Sequence, residues 1–326
     1  MTTPFRWGIL GTGGIAHKFA TGLSVLTDAQ LVAVGSRTQE AADKFADEFK
    51  APNRHDSYEA LANDPEVEAI YIATPHPFHK DNTLLCLNSG KPVLVEKPFA
   101  INANEAQQMI DLSRQKRVFL MEAMWSRFLP AIVRARELIT SGTIGEVRVL
   151  NADFGFRTNF NPKSRLFDLS LGGGALLDVG IYPISLAFLL FGAPKTVAAQ
   201  AHFSDTGADD QNAIVFSYDG GQLALLSSAS RTNTAHEAII YGTDGSIRIP
   251  DWWHGQKLIL NVNGRPTETL DIPHLGNGYP HEAIEVANCV RAGKIESDTM
   301  PLDESLTIIQ TMDTIRSQWG LKYPTE

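Results

Sequence analysis

Apolar residues fall into short unbroken runs in the first part of this chain and into alternating runs further on. Residues 5–10 form an apolar strand broken only by Arg6, and 31–34, 69–73, 92–95 and 118–121 are continuous apolar stretches of strand length. Between the first two, Ile15, Phe19, Leu23 and Leu26 recur at helical spacing; after the second, Ala41, Phe45 and Phe49 do the same behind a capping Thr38. Further helices are predicted over 80–87 and 103–113. Strand and helix thus alternate to about residue 124, the pattern of a parallel sheet covered on both faces. Beyond Gly145, residues 147–154, 197–203, 212–218, 222–228, 238–241, 258–262 and 268–272 read as strands. Most are joined by turns such as Asp219-Gly220-Gly221 and Asn263-Gly264. Helices are expected over 129–139, 172–183, 282–291 and 302–317. The fold class is α/β, with an N-terminal Rossmann doubly wound parallel sheet over 1–124. A C-terminal α+β domain with a large, mostly antiparallel open sheet follows over 125–326.

Composition narrows the partners. The 326 residues are 43% hydrophobic and 20% charged, enough apolar mass for two cores. A net charge of -9 argues against nucleic acid, whose phosphates need a basic face. We find no run of roughly 18 apolar residues and expect no membrane span. The first residues lack the apolar core of a signal peptide, so a cytoplasmic location is expected. Cys86 and Cys289 lie in apolar helical stretches without a CxxC partner and read as buried free thiols. His76 and His79 are separated by Pro77, and no further ligands are evident, so no metal site is expected.

In a doubly wound sheet, ligands bind at the carboxyl ends of the strands. Four such ends stand out: Gly11-Thr12-Gly13-Gly14-Ile15-Ala16, Ser36-Arg37, Ala73-Thr74-Pro75 and Glu96-Lys97-Pro98. The first has the form GxGxxA between a strand and an amphipathic helix. Gly11 permits the turn, Gly13 lets backbone approach a pyrophosphate, and Ala16 lets helix and strand pack closely. An NAD enzyme usually has Asp or Glu at the second strand end; Ser36-Arg37 instead suits a 2′-phosphate, which favours NADP over NAD. The alternative for Arg37 is a guanidinium stacked on adenine. Lys97 follows a buried strand and points to the nicotinamide end, a solvated surface lysine being the alternative. Asp178 and Tyr182 are four apart on the glycine-started helix; a capping Asp and a core Tyr remain open. A phenol, with a reference pKa near 10, becomes a usable base beside an ammonium, so Lys97 and Tyr182 could pair in a cleft between domains.

With these residues in view, the chain resembles the Gfo/Idh/MocA oxidoreductase family along its whole length. The resemblance rests on Gly11 to Ala16, Glu96-Lys97-Pro98 and Gly172 to Tyr182. Met121 to Phe128, Arg165-Leu166-Phe167-Asp168, Ile181-Tyr182-Pro183 and Met300-Pro301-Leu302 resemble its dihydrodiol and D-xylose dehydrogenase branch. It implies Lys97 and Tyr182 as the catalytic pair with Tyr182 as acid/base, Asp178 beside the substrate, Arg37 on the 2′-phosphate, a cis Lys97–Pro98 bond, and a homodimer or dimer of dimers through the C-terminal sheet. Many members of the family have His where this chain has Tyr182. Further cofactor contacts are assigned to Gly11, Thr12, Gly13, Gly14, Ile15, Ser36, Thr74, Pro75, His79, Glu96 and Arg165. A sugar or diol would meet Trp125, Arg127, Phe154 and Phe156, while Trp252-Trp253-His254 could be pocket, core or interface. A non-catalytic dinucleotide sensor and a keto-sugar reductase working in reverse are the competing readings.

Overall fold

The computed structural model describes residues 3–326, which form two compact units. The chain begins with β1 (Phe5–Leu10), α1 (Gly14–Leu23), β2 (Ala29–Gly35), α2 (Gln39–Phe49), β3 (Asn53–His55), α3 (Tyr58–Ala62), β4 (Ala69–Ile72), α4 (His79–Asn88), β5 (Val93–Glu96), α5 (Ala103–Lys116) and β6 (Leu120–Ala123). These strands form a parallel sheet in the order β3-β2-β1-β4-β5-β6. Both faces are covered, so β4, β5 and β6 are buried at every position. Thr38 caps α2 by accepting from the Ala41 amide, as the sequence suggests.

The chain continues with α6 (Pro130–Thr140), β7 (Val147–Gly155), a π turn over Leu176–Gly180, α7 (Ile181–Phe191), β8 (Thr196–Phe203), β9 (Asp209–Ser217) and β10 (Leu223–Ala229). There follow β11 (Glu237–Gly242), β12 (Gly245–Pro250), β13 (Lys257–Val262), β14 (Glu268–Asp271), α8 (Pro280–Arg291) and α9 (Leu302–Trp319). The eight strands β7 to β14 make one sheet in the order β14-β13-β12-β11-β7-β10-β9-β8. Every pairing is antiparallel except β10 with β7. The fold class thus matches the one the patterning predicts.

Three features depart from the sequence reading. The strands β3 and β12 and the short helix α3 were not expected; β3 has the polar sequence Asn53-Arg54-His55, and β12 has only two buried isoleucines, Ile247 and Ile249. The first unit is Met1–Trp125 with Leu275–Leu306, and the second is Ser126–His274 with Thr307–Glu326. A boundary at 124/125 assigns 275–306 to the second domain, whereas this segment packs on the first sheet. There Asn277 donates to the Lys18 carbonyl, Arg291 pairs with Asp28, and the Leu120 amide donates to the Ile295 carbonyl. Finally, Leu169–Phe191 is apolar enough over 23 residues to cross a bilayer, contrary to the expectation that no such run exists. In the second unit 83% of its most apolar stretch is buried, as befits a core segment.

Candidate functional site

At the carboxyl edge of the parallel sheet, Gly11 adopts φ +98°, a conformation costly for any other residue. A Cβ there would also lie 3.2 Å from the Ala73 carbonyl oxygen. Gly13 caps α1 without a side-chain contact, and a Cβ on Gly13 or Gly14 would enter open space. Ala16, one turn on, is fully buried. A helix amino end therefore opens on a bare backbone cradle, with no acidic residue in its first turn. This fits a dinucleotide diphosphate, which would take the amides of Gly13, Gly14 and Ile15 and the positive end of the helix dipole.

At the next strand end the Thr12 and Ser36 hydroxyls are 3.5 Å apart. Arg37 is exposed, and among the described residues no carboxylate pairs with it. Its charge is felt by Tyr58, whose phenol burial pushes up and Arg37 draws back.

The third and fourth strand ends are braced from beneath. His79 is fully buried, with Nδ1 2.8 Å from the Pro98 carbonyl oxygen and Nε2 2.9 Å from that of Thr74. Burial lowers its imidazole to about 4, although the two carbonyls favour the charged form. His79, expected among the cofactor contacts, has a ring that ties two strand ends together. The Thr74 hydroxyl accepts from Asn82 at 3.1 Å, leaving Pro75 at the sheet edge. Glu96 is also buried support, accepting from the Tyr71 hydroxyl and, at 3.1 Å, from the Lys97 amide. Lys97 follows directly, and the Lys97–Pro98 bond is cis, as the resemblance implies. Behind Glu96 lies Glu282, fully buried, with neither carboxylate oxygen hydrogen-bonded among the described residues. Burial, with the charge of Glu96 adding to it, raises the Glu282 carboxyl well above the usual range. Trp125 is buried too, stacked on Tyr279 with ring centroids 4.5 Å apart. Nothing in the sequence pattern pointed to Tyr71, Tyr279 or Glu282.

In the second unit, Asp178 lies in the π turn and Tyr182 at the start of α7, both buried. Wide π turns of this kind are concentrated at functional sites. Arg165 donates from Nη1 to Asp178 Oδ1 at 2.8 Å, and its other nitrogen is 3.5 Å from Oδ2. With Arg165 half exposed and Asp178 buried, the pair fixes the carboxylate and presents the cation outward. Tyr182 stands edge-on to Phe154, centroids 5.2 Å apart, and Trp253 stacks on Phe154 at 4.7 Å with 12° between planes. His236, at φ +58°, also meets the Phe154 ring edge-on. Trp252 divides from its neighbour: it is a core residue donating to the Asp153 carbonyl. The tryptophan pair is therefore half core and half aromatic wall, which adjacent sequence positions could not reveal.

Arg127, expected beside the substrate, is buried, with Nε donating to Ser185 Oγ at 2.7 Å and Nη2 to the Ser185 carbonyl at 2.9 Å. These bonds anchor α7. Phe156 is half-buried just past β7, its amide bonded to the Ala229 carbonyl. Lys97 and Trp125 belong to the first unit; Asp178, Tyr182, Phe154 and Arg165 belong to the second.

Comparison with known proteins agrees with this architecture. Residues 5–124 match the oxidoreductase family with an NAD-binding Rossmann fold, and 132–248 match the GFO/IDH/MocA C-terminal domain. The chain is 40% identical over 333 residues to trans-1,2-dihydrobenzene-1,2-diol dehydrogenase of Mus musculus, covering 98% of each protein. The Homo sapiens protein of that name is 34% identical, again over 98% of each. Among solved structures, the aldose-aldose oxidoreductase of Caulobacter crescentus complexed with glycerol superposes with TM-score 0.89 at 24% identity, covering 98% of each chain. KijD10, a 3-ketoreductase from Actinomadura kijaniata in complex with NADP and TDP-benzene, gives 0.86 at 24% identity, covering 97% of this chain and 98% of that one. These structures share the fold. With both halves matched and relatives aligned end to end, the chain is an NAD(P)-binding oxidoreductase and belongs to the Gfo/Idh/MocA family.

Proposed function

We propose that the protein transfers a hydride between NADP and a carbon bearing a hydroxyl or carbonyl group in a sugar or trans-dihydrodiol. The observation that carries this reading is the phenol of Tyr182, buried on the Asp178 helix and set against the Phe154–Trp253 stack. A nicotinamide, when bound, accepts or returns the hydride. The chain itself must move the hydroxyl proton, and Tyr182 is the group to take or give it, with Lys97 as the assisting cation. Asp178, held by Arg165, would orient a substrate hydroxyl. The cofactor preference rests on Arg37, a guanidinium with no carboxylate partner among the described residues, placed where a 2′-phosphate would lie. The names of the mouse and human relatives favour a diol; the glycerol and TDP-benzene complexes of the structural neighbours favour a polyol or sugar. Flat aromatic walls accept the ring of either.

A homodimer through the second sheet is part of the proposal. On β9 and β10 buried and exposed positions alternate, and the outer row presents Val215, Leu223, Leu225 and, from β11, Tyr241. An apolar sheet face of this kind fits a second copy of itself.

The test is NADPH absorbance with a panel of aldoses, ketoses, inositols and trans-dihydrodiols, run on wild type and Tyr182→Phe. Turnover in the variant should fall by about two to four orders of magnitude with NADP binding retained. Near-normal turnover would move the acid/base role to another group.

A further inference from the structure

The helix that carries Asp178 and Tyr182 begins on Gly172-Gly173-Gly174, which offer no side chains to hold it. Two polar groups from elsewhere in the chain converge on that bare backbone. Gly174 has φ +138°, and a Cβ on it would collide with Asp209 Oδ1 and lie 3.5 Å from the Tyr323 hydroxyl. Both residues are buried, Asp209 as the first residue of β9 and Tyr323 beyond α9. Asp209 Oδ2 accepts from the amide of Leu176, the first residue of the π turn, at 2.8 Å, and from Asn212 Nδ2 at 3.0 Å. Asn212 Oδ1 in turn accepts from Ser228 Oγ on β10 at 2.9 Å. That oxygen lies 2.9 Å from the place of a Cβ on Gly180, the last residue of the π turn. A buried polar chain from β9 and β10 thus underlies the turn from its first residue to its last. Asp209 Oδ1 and the Tyr323 hydroxyl have no hydrogen-bond partner among the described residues, and both abut Gly174.

We propose that Asp209 is the positioning residue for the Asp178–Tyr182 face, its carboxyl fixing the amino end of the π turn and the Tyr323 hydroxyl closing the same space. A buried acceptor on the first amide of a turn sets where the next residues point, and an unsatisfied network would let them drift. The proposal rests on the reading of Asp178 and Tyr182 as the reacting face. The carboxyl also titrates within reach of experiment: burial raises it to about 7, against the pull of Asn212 and the Leu176 amide. The groups around it are Asp210 on β9, which pushes it further up, and His202 on β8, which pairs with Asp210. Beyond α9 stand Tyr323 itself, raised well above its ordinary value by burial, Arg316 over its ring, and Glu326 on its amide. Protonated, the acid can donate from Oδ1 toward Tyr323 while Oδ2 still accepts from Leu176. Ionised, it keeps the Leu176 bond and turns a second, bare acceptor toward Gly174. Asparagine imitates the first arrangement and cannot reach the second.

The experiment compares Asp209→Asn, Asp209→Ala, Tyr323→Phe and, as a reference, Tyr182→Phe. It measures kcat and KM with NADP and either D-xylose or trans-1,2-dihydrobenzene-1,2-diol across the pH range, and amide hydrogen exchange over residues 174–182. Asp209→Ala should lower kcat by about tenfold to a hundredfold, the scale of a misplaced reacting group, with KM for NADP unchanged. Exchange over 174–182 should rise at least about tenfold, since the opening no longer breaks that bond. Asp209→Asn should restore most of the turnover and the protection while erasing the inflection near pH 7. Tyr323→Phe, which removes the hydroxyl that abuts Gly174 beside Asp209 Oδ1, should raise exchange over 174–182 with KM for NADP unchanged. Wild-type exchange and turnover in Asp209→Ala overturn the proposal. If that variant does not fold, a wild-type pH profile in Asp209→Asn together with wild-type exchange in Tyr323→Phe overturns it instead. Retained turnover in Tyr182→Phe overturns the site reading alone, because the exchange data still report whether Asp209 holds the turn.

Discussion

Replacing Arg127 by Met separates two roles that the sequence leaves together, substrate binding and support of α7. The guanidinium is only 3% exposed, with bonds of 2.7 and 2.9 Å to the hydroxyl and carbonyl of Ser185. Hydrogen bonds to a charged donor are each worth about 1.5–3 kcal/mol, so the two amount to about 3–6 kcal/mol gross. Methionine keeps the packing of the stem and avoids the cost of burying a cation, which offsets about half of that. A net loss of about 1.5–3 kcal/mol lowers Tm by about 3–12 °C in a domain of this size. Scanning calorimetry reads the loss on the transition of the second unit, and steady-state kinetics below that transition should show an unchanged KM for substrate. A Tm within about 1 °C of wild type together with a KM raised tenfold would refute the reasoning and put the guanidinium on the substrate.

Arg37→Ala should raise KM for NADP at least about tenfold and barely alter that for NAD; an outright wild-type preference for NAD defeats the NADP reading. Glu282 is a carboxyl raised above its ordinary value of 4.5, so the stability tied to its protonated form is complete below that pH and is lost as pH rises through the raised value. Glu282→Gln cannot ionise, and its Tm should gain on wild type as pH rises above the ordinary carboxyl value of 4.5; parallel Tm curves would show Glu282 already charged. Leu225→Glu places a charge in the outer row of β10, 45% exposed in the single chain, and light scattering should show a dimer converted to monomer. A monomeric wild type removes the proposed interface.

The parallel sheet was legible because its strands are buried on both faces and carry unbroken apolar runs; β4 reads Ala69-Ile70-Tyr71-Ile72. The glycine cradle was legible because its chemistry is carried by three small residues at fixed offsets. The two missed strands are too short or too polar for periodicity to register. Arg127 and His79 were visible as polar groups beside the right motifs, but their partners, Ser185 and the Thr74 and Pro98 carbonyls, lie elsewhere in the chain. Trp253 was hidden for the opposite reason. A tryptophan pair has no pattern that says which ring is core, and only the stacking on Phe154 decides it. The π turn leaves no signature, since Leu176, Leu177 and Val179 suit an ordinary helix equally well.

The passage of residues 275–306 back to the first unit has a consequence for how the protein is made. A parallel sheet coded by the first 125 residues would, on its own, finish folding as soon as it leaves the ribosome. Its β6 edge, however, waits for the Ile295 carbonyl, and Trp125 waits for Tyr279. At a synthesis rate of about 5–20 residues per second, roughly 10–35 s separate the emergence of Trp125 from that of Leu306. The whole second sheet is translated in that interval. During it the nascent first unit exposes an open strand edge and an unstacked indole, features that attract chaperones and neighbouring nascent chains. A fragment ending before Leu275 would remain in that condition permanently, so the dinucleotide-binding half cannot be isolated simply by cutting the chain after its last parallel strand.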